Sequence, residues 1–487
     1  MSIIKYEDFG AIGDGITNDF DAIINAHNEA NKTGATVSAN PNATYYIGGD
    51  SKTAIIKTNT NWGNAKFIID DTNVLDRRIP VFHVMSSHSI VDITNIKTLV
   101  KNQNKLDLEL EHDALILAID NTTMRFIREG LNPDNGTQQT DIFIVDKHGN
   151  VDPKTEIIWD FTNISSLTAY PIDKEILTLA SGVFTTLANK EEAVYNYFSR
   201  HIKIERSNVV IDGLVHYISG EDEKIGAPYS GFVSATHCAN LCIQNSTFTG
   251  HRTYWTTGRA NLPVQMGTYD ILIDESVNIL IKNCTQTNDI SDDDYWGVFS
   301  SNFTKNIIFD RVNFSRFDAH KGTTNTIIRN SSIGHMGVKL IGSGNCIIEN
   351  TKIYGHQLVE LRADYGSTWE GEIAIINCEF TPHKMDQNPG VIIGAEYNGL
   401  HDFGYKCYMP SKILIDGLIV NDKNHGPSYN GPRIFSNIHE NYMNEDFEAK
   451  YPYELTKELE ISRFSTTSGK EWKISDNENL FKNVKVK

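Results

Sequence analysis

Ile327-Ile328-Arg329-Asn330-Ser331-Ser332-Ile333 returns a short distance along the chain as Ile347-Ile348-Glu349-Asn350-Thr351-Lys352-Ile353. The shared phrase is an apolar pair, a polar pair ending in Asn, a small residue and a further apolar residue. Related copies are Val210-Ile211-Asp212-Gly213, Cys242-Ile243-Gln244-Asn245, Leu280-Ile281-Lys282-Asn283, Ile308-Phe309-Asp310-Arg311, Ala374-Ile375-Ile376-Asn377 and Leu414-Ile415-Asp416-Gly417. In chain order their closing residues stand 32, 38, 28, 19, 20, 27 and 40 apart. A short base period lengthened by insertions marks a stacked solenoid. Each copy holds a strand too short to bury its own face, so neighbours must stack to make a core. Ile and Val favour the strands, and Asn, Gly and Ser favour the turns between them. The expected fold class is all-β: a right-handed parallel β-helix with an N-terminal capping helix and a β-rich insertion.

Outward from the repeat, the chain divides into four expected regions. Residues 1–91 form the N-terminal cap and first coils. Here Asp8-Phe9-Gly10-Ala11-Ile12-Gly13-Asp14-Gly15-Ile16-Thr17-Asn18-Asp19 precedes a helix with Phe20, Ile23, Ile24 and His27 on one face and Thr17 or Asn18 as its cap. Residues 92–198 break the repeat. Alternating stretches such as Leu106-Asp107-Leu108-Glu109-Leu110, with turns at Asp134-Asn135-Gly136 and Lys147-His148-Gly149-Asn150, predict a separate barrel or sandwich. Residues 199–422 carry the main coils, and 423–487 form a polar tail expected to cover the open strand edge. The opening phrase resembles that of pectate-lyase-superfamily β-helix proteins. That resemblance implies the fold, which hydrolases, lyases and phage tailspikes share.

The formal charge is 44 − 62 = −18. Such a surface repels nucleic acid and anionic membranes, and an acidic polymer would need local Lys or Arg. No stretch is apolar enough for a membrane span. The six cysteines show no C-x-x-C zinc spacing. Cys284 and Cys378 share a register with Ser246, Val312, Ser331 and Thr351, which predicts an inward column of small side chains. The start, Met1-Ser2-Ile3-Ile4-Lys5-Tyr6-Glu7, lacks the apolar core of a signal peptide. The chain as it stands is expected in the cytoplasm, or in the periplasm or outside if a leader was removed. Its oligomeric state is left open.

Stacking makes the repeat a ruler, because residues at one offset lie above one another about 4.8 Å apart. Five to seven places after the closing residue come His251, Asp289, Asp318, His335 and His356. The loop Ser291-Asp292-Asp293-Asp294-Tyr295-Trp296 follows Asp289, and a cationic column of His320, Lys321, Lys339 and Arg362 comes slightly later. The order Asp292-Asp293-Asp294, Phe317-Asp318, Gly334-His335-Met336-Gly337 and Leu361-Arg362-Ala363-Asp364 resembles the motif order of polygalacturonase-type glycoside hydrolases (family 28). The resemblance implies an inverting hydrolase, which needs an acid and a base carboxyl roughly 6.5–9.5 Å apart.

The resulting expectation is a carbohydrate-active enzyme with a polysaccharide or oligosaccharide partner and no required metal. Asp318 is the expected acid, Asp293 or Asp294 the base, and His335 the group that orients or shares a proton. Asp292, Tyr295, Trp296, His320, Lys339, Arg362, Asp364, Tyr365, Trp369 and His251 are expected to bind substrate, the aromatics as sugar platforms. Two alternatives stand beside it. One is a polysaccharide lyase or uronate epimerase, with a His, Lys or Tyr base and either Arg362 or Ca²⁺ neutralising the acid; Asp318-Ala319-His320 resembles the D-P-H string of alginate epimerases. The other is a glycan-binding tailspike or surface receptor-binding protein. The stretches 214–240, 252–270 and 384–410 are long enough to close one end of a groove.

Overall fold

The computed structural model describes residues 2–192, 197–222, 225–383, 389–396, 405–438, 440–444, 446, 448 and 453–487. Much of the 384–410 stretch therefore lies outside the described residues. The chain is mostly β, with long parallel sheets stacked as a right-handed β-helix, an N-terminal helix and a small antiparallel insertion. It divides into two compact units. One comprises Met1–Thr122, Thr140–Asn288 and Asp294–Phe299; the other comprises Thr123–Gln139, Asp289–Asp293 and Ser300–Lys487.

In the first unit, helix Phe20–Thr33 buries Phe20, Ile23, Ala26, His27 and Ala30. Asp19 occupies the N-cap position, one residue beyond the expected cap. Its carboxylate accepts the N–H groups of Ile12 (2.7 Å) and Gly13 (3.1 Å), tying the opening phrase to the helix. Asn18 Oδ1 accepts the Phe20 N–H at 3.2 Å. Solenoid strands Val209–Asp212, Ala239–Gln244 and Val277–Lys282 pair in parallel, so that Ile211, Ile243 and Ile281 stack in the core. A second parallel sheet runs through Ala54–Ile56, Phe82–Met85, Ile202–Glu205, Ser230–Thr236 and Tyr269–Asp274.

The insertion is a four-stranded sheet of Val91–Asp92, Ala114–Arg125, Thr137–Val145 and Ser166–Pro171. One of its faces packs Ile116, Phe143, Phe161 and Leu167 into a core of its own. The alternate residues Leu115, Leu117 and Ile142 pack on Val277 of the solenoid. Period-two alternation thus gives one sheet two apolar faces. Leu177–Leu187, which falls inside the 92–198 range, pairs in parallel with the solenoid strands Thr60–Asp70, Val209–Asp212 and Val215–Ser219.

In the second unit, Phe309, Ile328, Ile348, Ile375 and Ile415 stack through successive parallel registers. The register continues to Glu458–Ser462 and then Lys485–Val486, so the polar tail adds strands to the same sheet. Val312, Ser331, Thr351 and Cys378 are all buried, as are Ser246 and Cys284 in the first unit, which gives the inward column its small side chains. The cysteines are free thiols.

The reason for Asn at the closing position is conformational. Asn245, Asn283, Asn330, Asn350 and Asn377 all have positive φ, between 48° and 53°. Asn tolerates this left-handed bend better than other residues with a Cβ; Gly213 and Gly417 fill it in two copies that lack Asn, and Arg311 adopts it in the third (φ 54°). The side chains then bond from coil to coil: Asn283 Nδ2 donates to Asn245 Oδ1 (3.1 Å), and Asn350 Nδ2 to Asn330 Oδ1 (3.4 Å). A second ladder runs through Asn208, Asn240 and Asn278. Replacing Asn330 with Ala should destabilise the chain by about 1–2 kcal/mol, the cost of a left-handed residue with an ordinary Cβ. Asn330→Gly should cost less, because Gly enters that region freely. Urea unfolding of the two variants checks this, and equal losses would refute the conformational account.

Candidate functional site

The second unit carries a charged cluster on the outward-turned side of a parallel sheet. Phe317–Lys321, Val338–Leu340 and Gln357–Leu361 pair so that Asp318, Lys339 and Glu360 lie in register. Phe317, Val338 and Val359 point into the core, which turns Asp318, Lys339 and Glu360 outward. Asp318 is nevertheless fully buried. It sits between Arg316 Nη2 (2.6 Å) and Arg362 Nη1 (2.7 Å). Arg362 also spans Asp364 with Nε (3.1 Å) and Nη2 (2.9 Å), and Asp364 accepts Arg128 Nε at 2.9 Å. Tyr365 is buried with the Arg128 and Arg362 guanidiniums 5.4 and 5.3 Å from its ring centre.

Burial raises the pKa of a carboxyl, but Arg316 and Arg362 outweigh it at Asp318 and hold that group well below the usual carboxylate range. At Asp364, Arg362 and Arg128 do the same against burial. His320 moves the other way: burial, then Arg362, push it well below its ordinary value. A neutral ring fits its contacts, with Nδ1 donating to Asn302 Oδ1 (3.1 Å) and Nε2 accepting from Tyr365 Oη (3.3 Å).

These observations correct several expected roles. A general acid must carry a proton and meet substrate; Asp318 is an ionised carboxylate sealed between two guanidiniums. Arg362 and Asp364 neutralise each other and their neighbours, and Lys339 is paired with Glu360 at 2.9 Å. Tyr365 and Trp369 are no sugar platforms, since both are buried and Trp369 Nε1 donates to the Gly344 carbonyl (3.1 Å). Arg316 and Arg128 belong to this network although the sequence reading did not single them out. Arg316 had a signal, lying two places before Asp318 on the same strand face. Arg128 had none, because it comes from the Thr123–Gln139 segment.

A second group in the same unit follows the repeat ruler. His335 comes five places after Asn330, while His356 and His383 come six after Asn350 and Asn377. His335 is buried, with Nδ1 facing the Ile290 carbonyl at 3.2 Å. Burial pushes its pKa down, and His383 adds to the effect. The rings of His335 and His356 lie 6.2 and 5.2 Å from that of His383. Asp293 stands 3.8 Å from His383 Nε2, with half its side chain exposed. His356 is exposed and His383 half-buried. His383 was missed by the sequence reading, although the same offset locates it. Asp292 is half-buried and belongs to the same unit.

Asp294, Tyr295, Trp296 and His251 belong to the first unit. Residues 294–296 run antiparallel to 251–253, with Arg252 over the Tyr295 ring at 5.5 Å. Tyr295 and Trp296 are half-buried and Asp294 is exposed. His251 is buried inside another ion network and does not meet solvent. Its Nδ1 contacts Glu221 Oε1 (2.8 Å) and its Nε2 contacts Asp270 Oδ1 (3.2 Å). His216 Nδ1 lies 2.8 Å from Asp270, and its ring stacks on Phe232 at 3.7 Å. Burial alone would depress the His251 imidazole, but Glu221 and Asp270 reverse this and lift it to about 10. Burial alone would raise Asp270, but His216 and then His251 hold it at about 2.

No protein-family model matches the chain, and no curated protein matches it. Solved structures do. The tailspike gp61 of Pseudomonas phage phi297 is 12% identical, with 100% of this chain and 84% of that one covered at a TM-score of 0.54. The Gp54 tailspike of Acinetobacter baumannii bacteriophage AP22, solved in complex with A. baumannii capsular saccharide, is 10% identical, with 99% and 79% covered at 0.53. The tailspike gp49 of Pseudomonas phage LKA1 is 12% identical, with 95% and 81% covered at 0.51. The chain shares their right-handed parallel β-helix fold. At these identities the likeness concerns the fold.

Two expectations follow from the ion networks. Asp318→Ala leaves Arg316 and Arg362 without their buried partner and should cost about 3–5 kcal/mol of stability, measured by urea unfolding. Unchanged stability would mean that Asp318 does not hold this face together. His251 contributes stability that is fully present below its unfolded value near ~6.5 and is lost as pH rises through about 10. The melting temperature should therefore fall through that alkaline window, and His251→Gln should flatten the fall. A scan of melting temperature against pH for both proteins checks this.

Proposed function

We propose that this chain is a glycan-binding β-helix protein of the tailspike or surface receptor-binding kind, with an extended polysaccharide as its partner. The observation that carries the reading is the pair of His356 and His383 on successive coils of the second unit, with the accessible carboxylate of Asp293 standing beside His383. Side chains spaced by the coil repeat of about 4.8 Å suit a row of sugar hydroxyls. The shared fold with a tailspike solved in complex with capsular saccharide supports the same partner class.

The charged cluster bears on which glycan. Lys339, Arg362 and Arg128 are committed to Glu360, Asp318 and Asp364. Those internal pairs compete with any uronate carboxylate for the same cations. With a net charge of −18 around it, the surface favours a neutral or amino-sugar polymer over a polyuronate.

Cleavage is the second reading, favoured by one observation: Asp293 is an accessible carboxylate beside an imidazole. Asp293 would then act as base or acid with His383 as its neighbour, and a second carboxyl would complete an inverting pair. Purified bacterial capsular and exopolysaccharides, screened by biolayer interferometry with reducing ends assayed in parallel, separate the two. Binding without new reducing ends is expected. His356→Ala with His383→Ala should weaken binding at least tenfold, about 1.4 kcal/mol. A double variant that binds as tightly as the parent would remove the column from the site. New reducing ends that vanish in Asp293→Asn would establish the enzyme reading instead.

A further inference from the structure

A cavity of about 300 Å³ opens in the first unit where the insertion leaves the solenoid. Its polar lining is Ser87, His88, Ser89, Glu111 and His112. The two imidazole rings stand only 3.9 Å apart, tilted by 43°. Each is backed by a carboxylate, with Glu111 Oε1 3.7 Å from His112 Nε2 and Asp173 Oδ1 4.0 Å from His88 Nε2. Both distances exceed direct hydrogen-bonding range. The result is a chain of carboxylate, imidazole, imidazole and carboxylate, with both rings reachable from solvent.

Asp173 supplies an independent sign. Its side chain is nine-tenths buried, and Oδ1 faces Arg206 Nε at 3.4 Å. Its Oδ2 is buried and has no hydrogen-bond partner. A buried carboxylate oxygen left unmatched is costly, and a second cation beside the one at Arg206 would lower that cost.

We propose that His88 and His112 hold a divalent transition metal of the Zn²⁺, Ni²⁺ or Cu²⁺ class at the mouth of this cavity. The exposed Glu111 swings in as a third ligand, while the Asp173 carboxylate lies 4.0 Å from His88 Nε2, outside the coordination sphere. Imidazole donors select these ions over Ca²⁺ or Mg²⁺, which prefer oxygen. The remaining coordination position faces the cavity and is open to water or to a small anionic or hydroxyl ligand. This site does not depend on the glycan reading, since it shares no residue with the histidine column.

The experiment is calorimetric titration of ZnCl₂ into the full chain, compared with His88→Gln, His112→Gln and the double variant, each freed of metal beforehand. Both rings are partly exposed, so the metal-free variants should melt as the parent does. The single substitutions carry the result even if the double variant is unstable. Each single change should weaken zinc binding at least tenfold, and Glu111→Gln should weaken it by a smaller factor. Co²⁺ should develop a visible ligand-field band in the parent that the His88 and His112 variants lose. His356→Gln with His383→Gln should leave the band intact. The proposal is overturned if the parent takes up no zinc, or if the His88 and His112 variants bind it with the parent's affinity and stoichiometry.

Discussion

Each coil of this chain must bend its backbone through the left-handed region before the next strand can stack on the last. Asn and Gly meet that requirement with little strain. Once several coils place Asn there, the side-chain amides fall within bonding distance of one another, as in Asn245 to Asn283 and Asn330 to Asn350. A ladder of that kind fixes register. Fixed register stacks Phe309, Ile328, Ile348, Ile375 and Ile415 in one column. It also places Asp318, Lys339 and Glu360 side by side on the opposite face. The core and the charged face are two consequences of one bend.

Register explains why charges meet, and burial decides what they do. A row of ionisable side chains on an open coil would be solvated and weakly coupled. Here the Thr123–Gln139 segment lays Phe126 against Phe303, Ile341 and Tyr365, and brings Arg128 to Asp364. Water is displaced, and the charges are left to satisfy one another. A buried ion pair is costly to break, yet it adds little net stability over an apolar core. Its use here is geometric: Arg362 reaches Asp318 and Asp364 at once, and Asp364 in turn receives Arg128 from the segment.

The repeat phrase, the opening motif, the capping helix and the inward column of Ser331, Thr351 and Cys378 were all legible in the sequence, because each rests on local spacing. The same offset locates His335 and His356, whose rings both lie near that of His383. The offset went astray at Asp318 for a physical reason. An offset specifies a row on the solenoid, and strand alternation specifies inward or outward, but neither says whether another segment covers the outward face. Arg128 lies more than two hundred residues from Asp364 in the chain, so no periodicity connects them. Tyr365 and Trp369 were misjudged in the same way, as loop aromatics taken for exposed ones.

This division between legible and hidden features bears on function. Catalysis by a carboxyl pair requires one group to keep its proton near neutral pH, which takes burial without a matching cation. The Asp318 network does the reverse, pairing each buried carboxylate with arginine and driving its pKa down. Binding places no such demand. Hydroxyl-rich ligands need accessible donors and acceptors at regular spacing, and a β-helix edge provides them wherever successive coils carry polar residues at one offset. His356 and His383 meet that condition, and the accessible Asp293 carboxylate stands 3.8 Å from His383. The same stacking that pairs the charges of one face with one another therefore leaves accessible histidines at one offset on the coils that close with Asn350 and Asn377.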